Sequence, residues 1–450
     1  MPGGTGIILR MQPIDLLIEA RWALPMDDAA AIGHAALAVD GGRIVAIGAA
    51  AALAARFAPR ERIQRPRHAL LPGLVNAHTH AAMSLLRGLP VRGPLMQWLN
   101  ETIWPYERRS VNAQFVRSGT QLAMAEMLAA GITCFADMYY FPDEVARLAR
   151  ARHLRAVVGA PIVEARTPWA ADADEHLDKA ARLWDEYRDD PLIRPYFAPH
   201  SPYAVARPTF ARLRRLIDQL DAPLAMHLHE TQTEVQDSLA AHGGRPLTWL
   251  GDEGLLRPGF SAVHMNWLSD EDIDLAARTG ISVVHCPQSN QRLGSGTCPV
   301  GALRSAGVNV ALGTDGAASA GALDLLAEAR AACLLASQST HEPGALGAGE
   351  ALRLATMGGA QALGLAGEIG SLSPGKAADV ICIDLSAPAC QPVGDPADAI
   401  VYCAGRGAVT DVWVAGHAML RDSRLLAFDP EELATIAREF PARPQVGAAA

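Results

Sequence analysis

The sequence predicts an α/β fold whose main domain is a (β/α)₈ barrel of the TIM type. Short apolar runs alternate with longer amphipathic stretches between residues 72 and 375. Seven or eight such units over about 300 residues fit this barrel. In addition, both ends of the chain have strand-like patterns of their own. A doubly wound open sheet is the competing fold, because it alternates strands and helices in the same way.

The apolar runs predict the buried strands of a parallel sheet, since each is short and contains few polar residues. They lie at residues 74–77, 132–136, 156–158, 224–227, 262–264, 282–285 and 308–312. The amphipathic stretches predict the helices that cover the sheet. These stretches include residues 114–130, 208–220, 270–279 and 322–337.

Both ends of the chain predict β-structure. Residues 35–47 contain two apolar runs on either side of DGGR at residues 40–43, a pattern typical of a β-hairpin. Near the other end, residues 378–385 form a strand-like run, and residues 409–420 form a second hairpin that turns at Gly416. Because the two ends are alike, we expect them to pair into one small β-sandwich domain with the barrel inserted between them.

The chain therefore divides into two predicted domains. The parts are residues 1–69 for the N-terminal half of the β-sandwich, residues 70–375 for the metal-dependent barrel, and residues 376–450 for the C-terminal half of the β-sandwich with its tail. The first ten residues are rich in glycine and lack the pattern of a secretory signal, so Met11 is the expected native start. The tail from Arg443 is expected to be loose.

The composition limits the partners of the protein. Of the 450 residues, 50% are apolar and 19% are charged, so the chain can fold around a large core. The net charge is −9 and no basic stripe occurs, which argues against a nucleic-acid partner. No apolar run reaches the ~20 residues of a membrane span. We expect a small-molecule substrate and no membrane partner. A homodimer is the expected assembly, because C2 dimers are the commonest closed oligomers.

Cysteine usage predicts a cytoplasmic protein. The seven cysteines lie at wide spacings, and no Cys-x-x-Cys motif occurs. An odd number of cysteines without a regular framework is typical of reduced thiols inside the cell.

Side chains of the types that can bind a metal ion follow four of the apolar runs, where strands would end. They are His78, His80, His227, His229, Glu230, His264 and Asp315. The carboxyl ends of barrel strands converge on the active site, so three histidines and an aspartate are expected to meet there. This donor set suits Zn²⁺ or a similar divalent ion. Spacing leaves open whether His227 or His229 is the ligand, because alternate residues of a strand face the same way.

One metal ion is expected rather than two. A two-metal site bridged by a modified lysine needs a lysine at a strand end. The chain has only Lys179, in a helix-like stretch, and Lys376, in a turn. Zinc deaminases of the nucleobase type need His-x-Glu and Pro-Cys-x-x-Cys motifs, and neither occurs. Zn²⁺ is the preferred ion, although Fe²⁺ and Mn²⁺ suit the same ligands.

The polar residues at these strand ends also suggest a hydrolytic mechanism. A divalent ion with an open position lowers the pKa of bound water to about 7 and supplies hydroxide. Asp315 can bind the ion and accept the proton of the water, and Glu230 can protonate a ring nitrogen of the substrate. His264 can polarise or orient the hydroxide.

Several motifs resemble those of the amidohydrolase superfamily. They are PGLVNAHTH at residues 72–80, the region around His227, His264, and GTDG at residues 313–316. Within this superfamily, the chain is similar to the 5′-methylthioadenosine/S-adenosylhomocysteine deaminases. The segments that carry this resemblance are AAMSLLRG at 81–88, WLN at 98–100, WPYE at 104–107, PHSPY at 199–203, and residues 313–319.

The resemblance implies a role for each site residue. The metal ligands would be His78, His80, His227 and Asp315, which favours His227 over His229. Glu230 and His264 would be the catalytic acid/base and its partner, and Asp315 would share in the proton transfer. Glu107 would bind the ribose hydroxyls and His200 the purine ring. The implied reaction is the hydrolytic deamination of an adenine nucleoside (5′-methylthioadenosine, S-adenosylhomocysteine or adenosine) by a metal-bound hydroxide.

The sequence departs from the family pattern in two places. Residues 156–161 contain no arginine of the kind that meets the homocysteine carboxylate in some relatives, and Arg166 is nearby. Methylthioadenosine and adenosine are therefore favoured over S-adenosylhomocysteine as substrates. Residues 320–321 are Ala-Gly where relatives often have two asparagines.

The rival activity is attack on guanine, cytosine or an s-triazine by the same fold. A non-catalytic scaffold is a further rival, and the presence of every ligand argues against it.

Overall fold

The structure, a computed structural model, describes residues 11–27 and 29–440. The predictions about the first ten residues and about the tail from Arg443 lie outside the described residues. Within them, none of the helices combines the length and the apolar character that a membrane crossing requires.

In the described residues, the strands form one sheet from the middle of the chain and one from both ends. In chain order the strands are β1 (Gln12–Ala23), β2 (Ile32–Asp40), β3 (Arg43–Ala49), β4 (Phe57–Pro72), β5 (Leu74–Thr79), β6 (Ile132–Met138), β7 (Arg155–Ile162), β8 (Ile193–Pro199), β9 (Leu224–Leu228), β10 (Phe260–His264), β11 (Ser282–His285), β12 (Asn309–Leu312), β13 (Val380–Asp384), β14 (Val409–Val414), β15 (His417–Arg421) and β16 (Arg424–Leu425). The α-helices are α1 (Ala50–Arg56), α2 (Leu95–Trp98), α3 (Trp104–Ser110), α4 (Ala113–Ala129), α5 (Pro142–Ala151), α6 (Ala173–Tyr187), α7 (Arg207–Leu220), α8 (Gln232–His242), α9 (Pro246–Asp252), α10 (Asp270–Thr279), α11 (Pro287–Leu293), α12 (Val300–Ser305), α13 (Ala317–Ala320), α14 (Leu325–Thr340), α15 (Ala348–Arg353), α16 (Gly359–Ala362), α17 (Pro396–Asp398) and α18 (Pro430–Glu439).

Strands β5 to β12 form the predicted barrel, and each pairs in parallel with the next along the chain. The first and last strands meet where the backbone N–H of Asp315 donates to the carbonyl oxygen of His78 at 3.0 Å. The doubly wound alternative is therefore wrong, because the edges of an open sheet do not meet. Strand β8 is not among the predicted apolar runs, because Arg194, Pro195 and Pro199 interrupt its apolar character.

The predicted helical stretches coincide with α4, α7, α10 and α14, which alternate with strands of the barrel. Side chains define where some of these helices begin. Asn112 accepts the backbone N–H of Phe115 at 3.0 Å at the start of α4, and Ser269 and Asp272 form a capping box at α10. Between β5 and α4, the short helices α2 and α3 reach the carboxyl edge of the barrel, where they line a cavity.

The other sheet, called the end sheet below, is built from both ends of the chain as predicted. Its strand order is β16-β15-β14-β13-β4-β1-β2-β3. The two ends join where β4 and β13 pair antiparallel, with Pro72 opposite Val380. The predicted hairpins are β2–β3, with Asp40 opposite Arg43, and β14–β15. The domain boundaries at 69/70 and 375/376 stay a prediction.

Candidate active site

Four of the predicted metal ligands meet at the carboxyl edge of the barrel. His78 lies at the end of β5 and His80 just after it, His227 lies in β9, and Asp315 follows β12. One possible ligand atom from each lies within 4.8 Å of the others. Nε2 of His78 is 3.2 Å from Nε2 of His227, and Nε2 of His80 is 3.2 Å from Oδ1 of Asp315. These four residues are called the ligand cluster below.

Hydrogen bonds from Nδ1 of His80 and His227 orient the two rings so that Nε2 of each faces the other members of the ligand cluster. Nδ1 of His80 lies 2.6 Å from the carbonyl oxygen of Met138, and Nδ1 of His227 lies 2.8 Å from that of His200. A carbonyl oxygen only accepts, so Nδ1 is the donor in both rings and Nε2 is left for the cluster. Three imidazoles and one carboxylate in this orientation fit one divalent metal ion.

Burial sets the protonation of two of these histidines. It lowers the pKa of His78 to about 4 and holds the pKa of His227 well below its usual value. Both rings are therefore neutral at pH 7, the form that binds a metal. Burial also lowers the pKa of His80, but hydrogen bonding to the Asp315 carboxylate and other favourable contacts outweigh it and raise the pKa to about 9. A metal ion at the ligand cluster competes with that proton.

Asp315 is held by groups for which the sequence predicts no role. Its backbone has a φ of 59°, and its Oδ1 accepts the backbone N–H of Gly316 at 2.7 Å. The hydroxyls of Ser289 and Ser319 donate to its Oδ2 at 2.6 and 3.1 Å. Ser289 lies in α11, within the segment HCPQSN at residues 285–290 that starts at the last residue of β11. Polar residues directly after an apolar strand are the signal by which the sequence could have identified it.

Glu230 and His264 lie side by side next to the ligand cluster. Nε2 of His264 is 3.8 Å from Oε2 of Glu230, and the rings of His264 and His227 stack with their centroids 5.4 Å apart. Burial raises the pKa of Glu230, so its carboxyl group holds a proton more tightly than an exposed glutamate does. The geometry thus places a carboxyl group of raised pKa beside the ligand cluster.

His229 does not face the ligand cluster. Strand β9 ends at Leu228, and His229 adopts a left-handed backbone with a φ of 51°. Its Nδ1 lies 3.0 Å from the carbonyl oxygen of Trp267, and its Nε2 accepts the backbone N–H of Leu247 at 3.0 Å. Side-chain alternation stops where the strand ends. The expectation that His227 and His229 face the same way is therefore wrong.

Glu107 and His200 line the same cavity as Glu230 and members of the ligand cluster. Helix α3 carries Glu107 into this cavity, where the hydroxyl of Tyr139 donates to Oε1 at 2.7 Å. Burial raises the pKa of Glu107 to about 7 and lowers the pKa of His200 to about 3. Oε2 of Glu107 accepts no hydrogen bond from the described part of the chain. This oxygen can therefore bind a polar group of a ligand.

A wider groove, called the outer groove below, adjoins the cavity and has a volume of about 750 Å³. Glu107, His200 and Tyr203 line both spaces. Arg108 and Arg166 lie exposed along the groove. Neither guanidinium forms an ion pair or hydrogen bond within residues 11–27 and 29–440. Both are therefore available to an anionic group of a ligand.

Comparison with known proteins agrees with this geometry. The model of the amidohydrolase family matches residues 69–419. The chain is also similar to 5-methylthioadenosine/S-adenosylhomocysteine deaminase from Teredinibacter turnerae. The two are 43% identical over 436 residues, which cover 97% of this chain and 98% of the relative.

Solved structures share the architecture. An adenosine deaminase from Xanthomonas campestris with bound zinc has a TM-score of 0.94 and 47% identity, over 96% of this chain and 98% of that chain. An atrazine chlorohydrolase from Arthrobacter aurescens TC1, complexed with zinc, has a TM-score of 0.88 over 95% of this chain and 100% of that chain. Its identity of 24% shows the shared fold alone. Since the family model covers most of the sequence and the deaminase relative nearly all of it, the chain belongs to the amidohydrolase family.

Proposed function

We propose that the protein hydrolytically removes the amino group from the purine of an adenine nucleoside, with one bound Zn²⁺. The products are the inosine analogue and ammonia. The observation that carries the nucleoside assignment is the buried carboxyl group of Glu107, which shares a cavity with Glu230 and with members of the ligand cluster. The deaminase names of the Teredinibacter relative and the Xanthomonas structure support the same substrate class.

The donor set supports the choice of ion. Imidazole nitrogens and a carboxylate are typical zinc ligands, and the Xanthomonas structure contains zinc. The residues that would hold the ion are His78, His80, His227 and Asp315. When bound, such an ion lowers the pKa of water to about 7 and thereby makes a nucleophile available at neutral pH.

The residues of the chain account for the proton transfers. Water adds to C6 of the purine while the carboxyl group of Glu230 donates a proton to ring nitrogen N1. Asp315 accepts a proton from the water and passes it to the amino group, which leaves as ammonia when the C6–N6 bond breaks. The remaining hydroxyl proton returns to Glu230 as the C6 carbonyl forms. His264, 3.8 Å from Glu230, orients the attacking water.

Glu107 favours a substrate with a ribose over a free base or a triazine. A carboxylate can accept hydrogen bonds from two neighbouring hydroxyls, and those bonds are charge-assisted. Guanine, cytosine and s-triazines have no such pair, so they would leave Oε2 of the Glu107 carboxyl group without a hydrogen-bond partner, which costs binding energy. His200, which is neutral at pH 7 because burial lowers its pKa to about 3, is the proposed contact of the purine ring.

The outer groove supports a substituent on the 5′ carbon of the ribose. Its volume of about 750 Å³ exceeds what a 5′ hydroxyl needs. We therefore place 5′-methylthioadenosine and S-adenosylhomocysteine before adenosine. Arg108 and Arg166 line this groove and supply positive charge for the carboxylate of S-adenosylhomocysteine. They would replace the arginine that some relatives carry after the corresponding strand, since β7 contains none after Arg155.

A substrate panel tests the proposal. Zinc-loaded protein is mixed with each of the three nucleosides, with guanine and with an s-triazine, and the products are quantified, with the ultraviolet change of adenine to hypoxanthine followed for the nucleosides. We expect turnover of the nucleosides only, and loss of turnover in Glu230→Gln. No nucleoside turnover by protein that contains one zinc per chain would contradict the proposal. Nucleoside turnover that survives unchanged in Glu107→Ala would contradict the ribose role.

The cysteines support the proposed cytoplasmic location. All seven, which lie within the described residues, are free thiols, and only Cys403 is exposed. Unpaired thiols are typical of a reducing compartment. The homodimer stays a prediction, and sedimentation of the purified protein would measure it.

A further inference from the structure

Three hydrogen bonds in series link the backbone of Glu230 to the ring of His264. Nδ2 of Asn266 lies 3.0 Å from the carbonyl oxygen of Glu230. Nδ2 of Asn290 lies 2.8 Å from Oδ1 of Asn266, and Oδ1 of Asn290 lies 2.9 Å from Nδ1 of His264. The participating residues are buried, so water does not compete for these bonds.

The direction of each bond follows from the first acceptor. The carbonyl oxygen of Glu230 can only accept, so Asn266 must present its NH₂ group there and its oxygen to Asn290. Asn290 must then present its NH₂ group to Asn266 and its oxygen to His264. Because an amide oxygen accepts, the last bond requires a proton on Nδ1 of His264.

We propose that Asn266 and Asn290 are positioning residues for the deamination, because they fix neutral His264 as the tautomer with its lone pair on Nε2. The catalytic meaning of this inference rests on the proposed function. Nε2 faces Oε2 of Glu230 at 3.8 Å. In the fixed tautomer, Nε2 can accept a hydrogen bond from the attacking water. The other tautomer would direct an N–H to the same place and could only donate.

Asn290 also connects His264 to the carboxyl group of Glu230. Its backbone carbonyl accepts the backbone N–H of Ser295 at 2.9 Å. The hydroxyl of Ser295 in turn donates to Oε1 of Glu230 at 3.3 Å. The side chain of Asn290 thus orients His264, and its backbone holds the loop that brings Ser295 to Glu230. Only the first of these contacts depends on the asparagine side chain.

The tautomer can be measured without any substrate. Zinc-loaded full-length protein with ¹⁵N-labelled histidine side chains is compared by NMR with His264→Gln, which identifies the signals of His264 by their loss. We expect a protonated Nδ1 and an unprotonated Nε2, and we expect Asn290→Leu to lose this single tautomer. Protonation of Nε2 instead of Nδ1 in neutral His264 of the wild-type protein would overturn the proposal.

The kinetics of paired variants test the consequence. We expect Asn290→Leu to lower kcat about 10–100-fold with zinc content unchanged, as for other residues that orient active-site imidazoles. KM should change less than about twofold, since the nucleoside contacts remain. Asn266→Leu should act in the same direction with a smaller effect.

Asn309→Leu is the matched control. It removes an amide that donates to the hydroxyl of Ser282 at 3.0 Å and to the carbonyl of Gly358 at 3.1 Å, at the start of β12. We expect its kcat to equal that of the wild-type protein. An equal loss of kcat in Asn309→Leu and Asn290→Leu, or none in Asn290→Leu, would overturn the positioning role. If the wild-type protein deaminates no nucleoside, the proposed function fails while the NMR result still decides the tautomer.

Discussion

Buried carboxyl groups in the two sheets have different surroundings. In the end sheet, Asp411 is fully buried and accepts hydrogen bonds from Arg65 at 2.6 and 2.7 Å. At the barrel edge, Glu107 and Glu230 are nearly as buried. Neither forms an ion pair with an arginine or lysine in the described part of the chain.

The protonation of these groups follows from that difference. Burial raises the pKa of Asp411, but hydrogen bonds from Arg65 outweigh it, so the pKa lies below its usual value. Without such a cation, burial raises the pKa of Glu107 to about 7 and also raises the pKa of Glu230. Burial therefore does not decide what a carboxyl group does. A matching arginine makes it a structural ion pair, and without one its pKa stays raised and the group is left for a ligand or a proton.

The largest expected effect is on kcat, when Glu230 can no longer perform its proposed proton transfer. Glu230→Gln keeps the shape of the side chain but cannot transfer a proton, so kcat should fall about 10²–10⁴-fold. Steady-state kinetics with 5′-methylthioadenosine measure this, and zinc content and thermal unfolding serve as controls. A kcat within tenfold of the wild-type value would show that another group supplies the proton.

The corresponding change in the end sheet should affect stability and not kcat. Asp411→Asn leaves Arg65 without its main partner, and removal of one member of a buried pair costs about 3 kcal/mol of unfolding free energy. Urea denaturation measures the loss. Asp422→Asn is the control, because Asp422 pairs with the same arginine at 2.7 Å but its side chain is 70% exposed, so its removal should cost less than about 1 kcal/mol. Equal losses in the two variants would contradict the comparison.

The sequence predicted the parts of the site that depend on strand ends. The histidines and aspartate of the ligand cluster follow apolar runs, and parallel strands necessarily bring their carboxyl ends together. The barrel and the sheet from both chain ends followed from the same periodicity. Residue spacing could not predict the backbone conformation after the last residue of a strand. His229 shows this, because a left-handed φ of 51° turns its side chain away.

The rest of the site depends on contacts between distant residues. Tyr139 reaches Glu107 across 32 positions, and Asn266 reaches Glu230 across 36. No local pattern records such pairs, since each residue alone is an ordinary polar side chain near a strand end or on a short helix. Strand β8 was missed for a local reason. Its two prolines and one arginine are not typical of a buried strand.

A smaller effect concerns the pH dependence of stability, which should have opposite signs for the two kinds of carboxyl group. The pKa of Glu107 is raised from 4.5 to about 7 in the folded protein. The folded state therefore binds the proton of Glu107 more tightly than the unfolded state does. The contribution of Glu107 to stability is lost as the pH rises from about 4.5 to about 7. The contribution of Asp411, whose folded pKa is lowered, is lost as the pH falls through that lowered pKa.

Glu107→Gln isolates the first of these two contributions. From about pH 4.5 to 7, the variant should gain unfolding free energy relative to the wild-type protein, with a slope of at most about 1.4 kcal/mol per pH unit. Urea denaturation at several pH values measures the slope. A difference between the two proteins that does not change with pH would show that Glu107 is ionised throughout.

The smallest expected effect concerns an arginine that pairs with no carboxylate among the described residues. Asp411 supplies a carboxylate for Arg65, whereas Arg166 lies exposed along the outer groove and has none within residues 11–27 and 29–440. If a substrate carboxylate takes that place, Arg166→Ala should raise KM for S-adenosylhomocysteine about two- to fivefold, the usual range for an exposed ion pair. KM for 5′-methylthioadenosine, which has no charged group on its substituent, should not change. Arg424→Ala, an exposed arginine in the end sheet, should leave both constants unchanged. An equal rise for both nucleosides in Arg166→Ala would mean that Arg166 shapes the groove and does not bind the carboxylate.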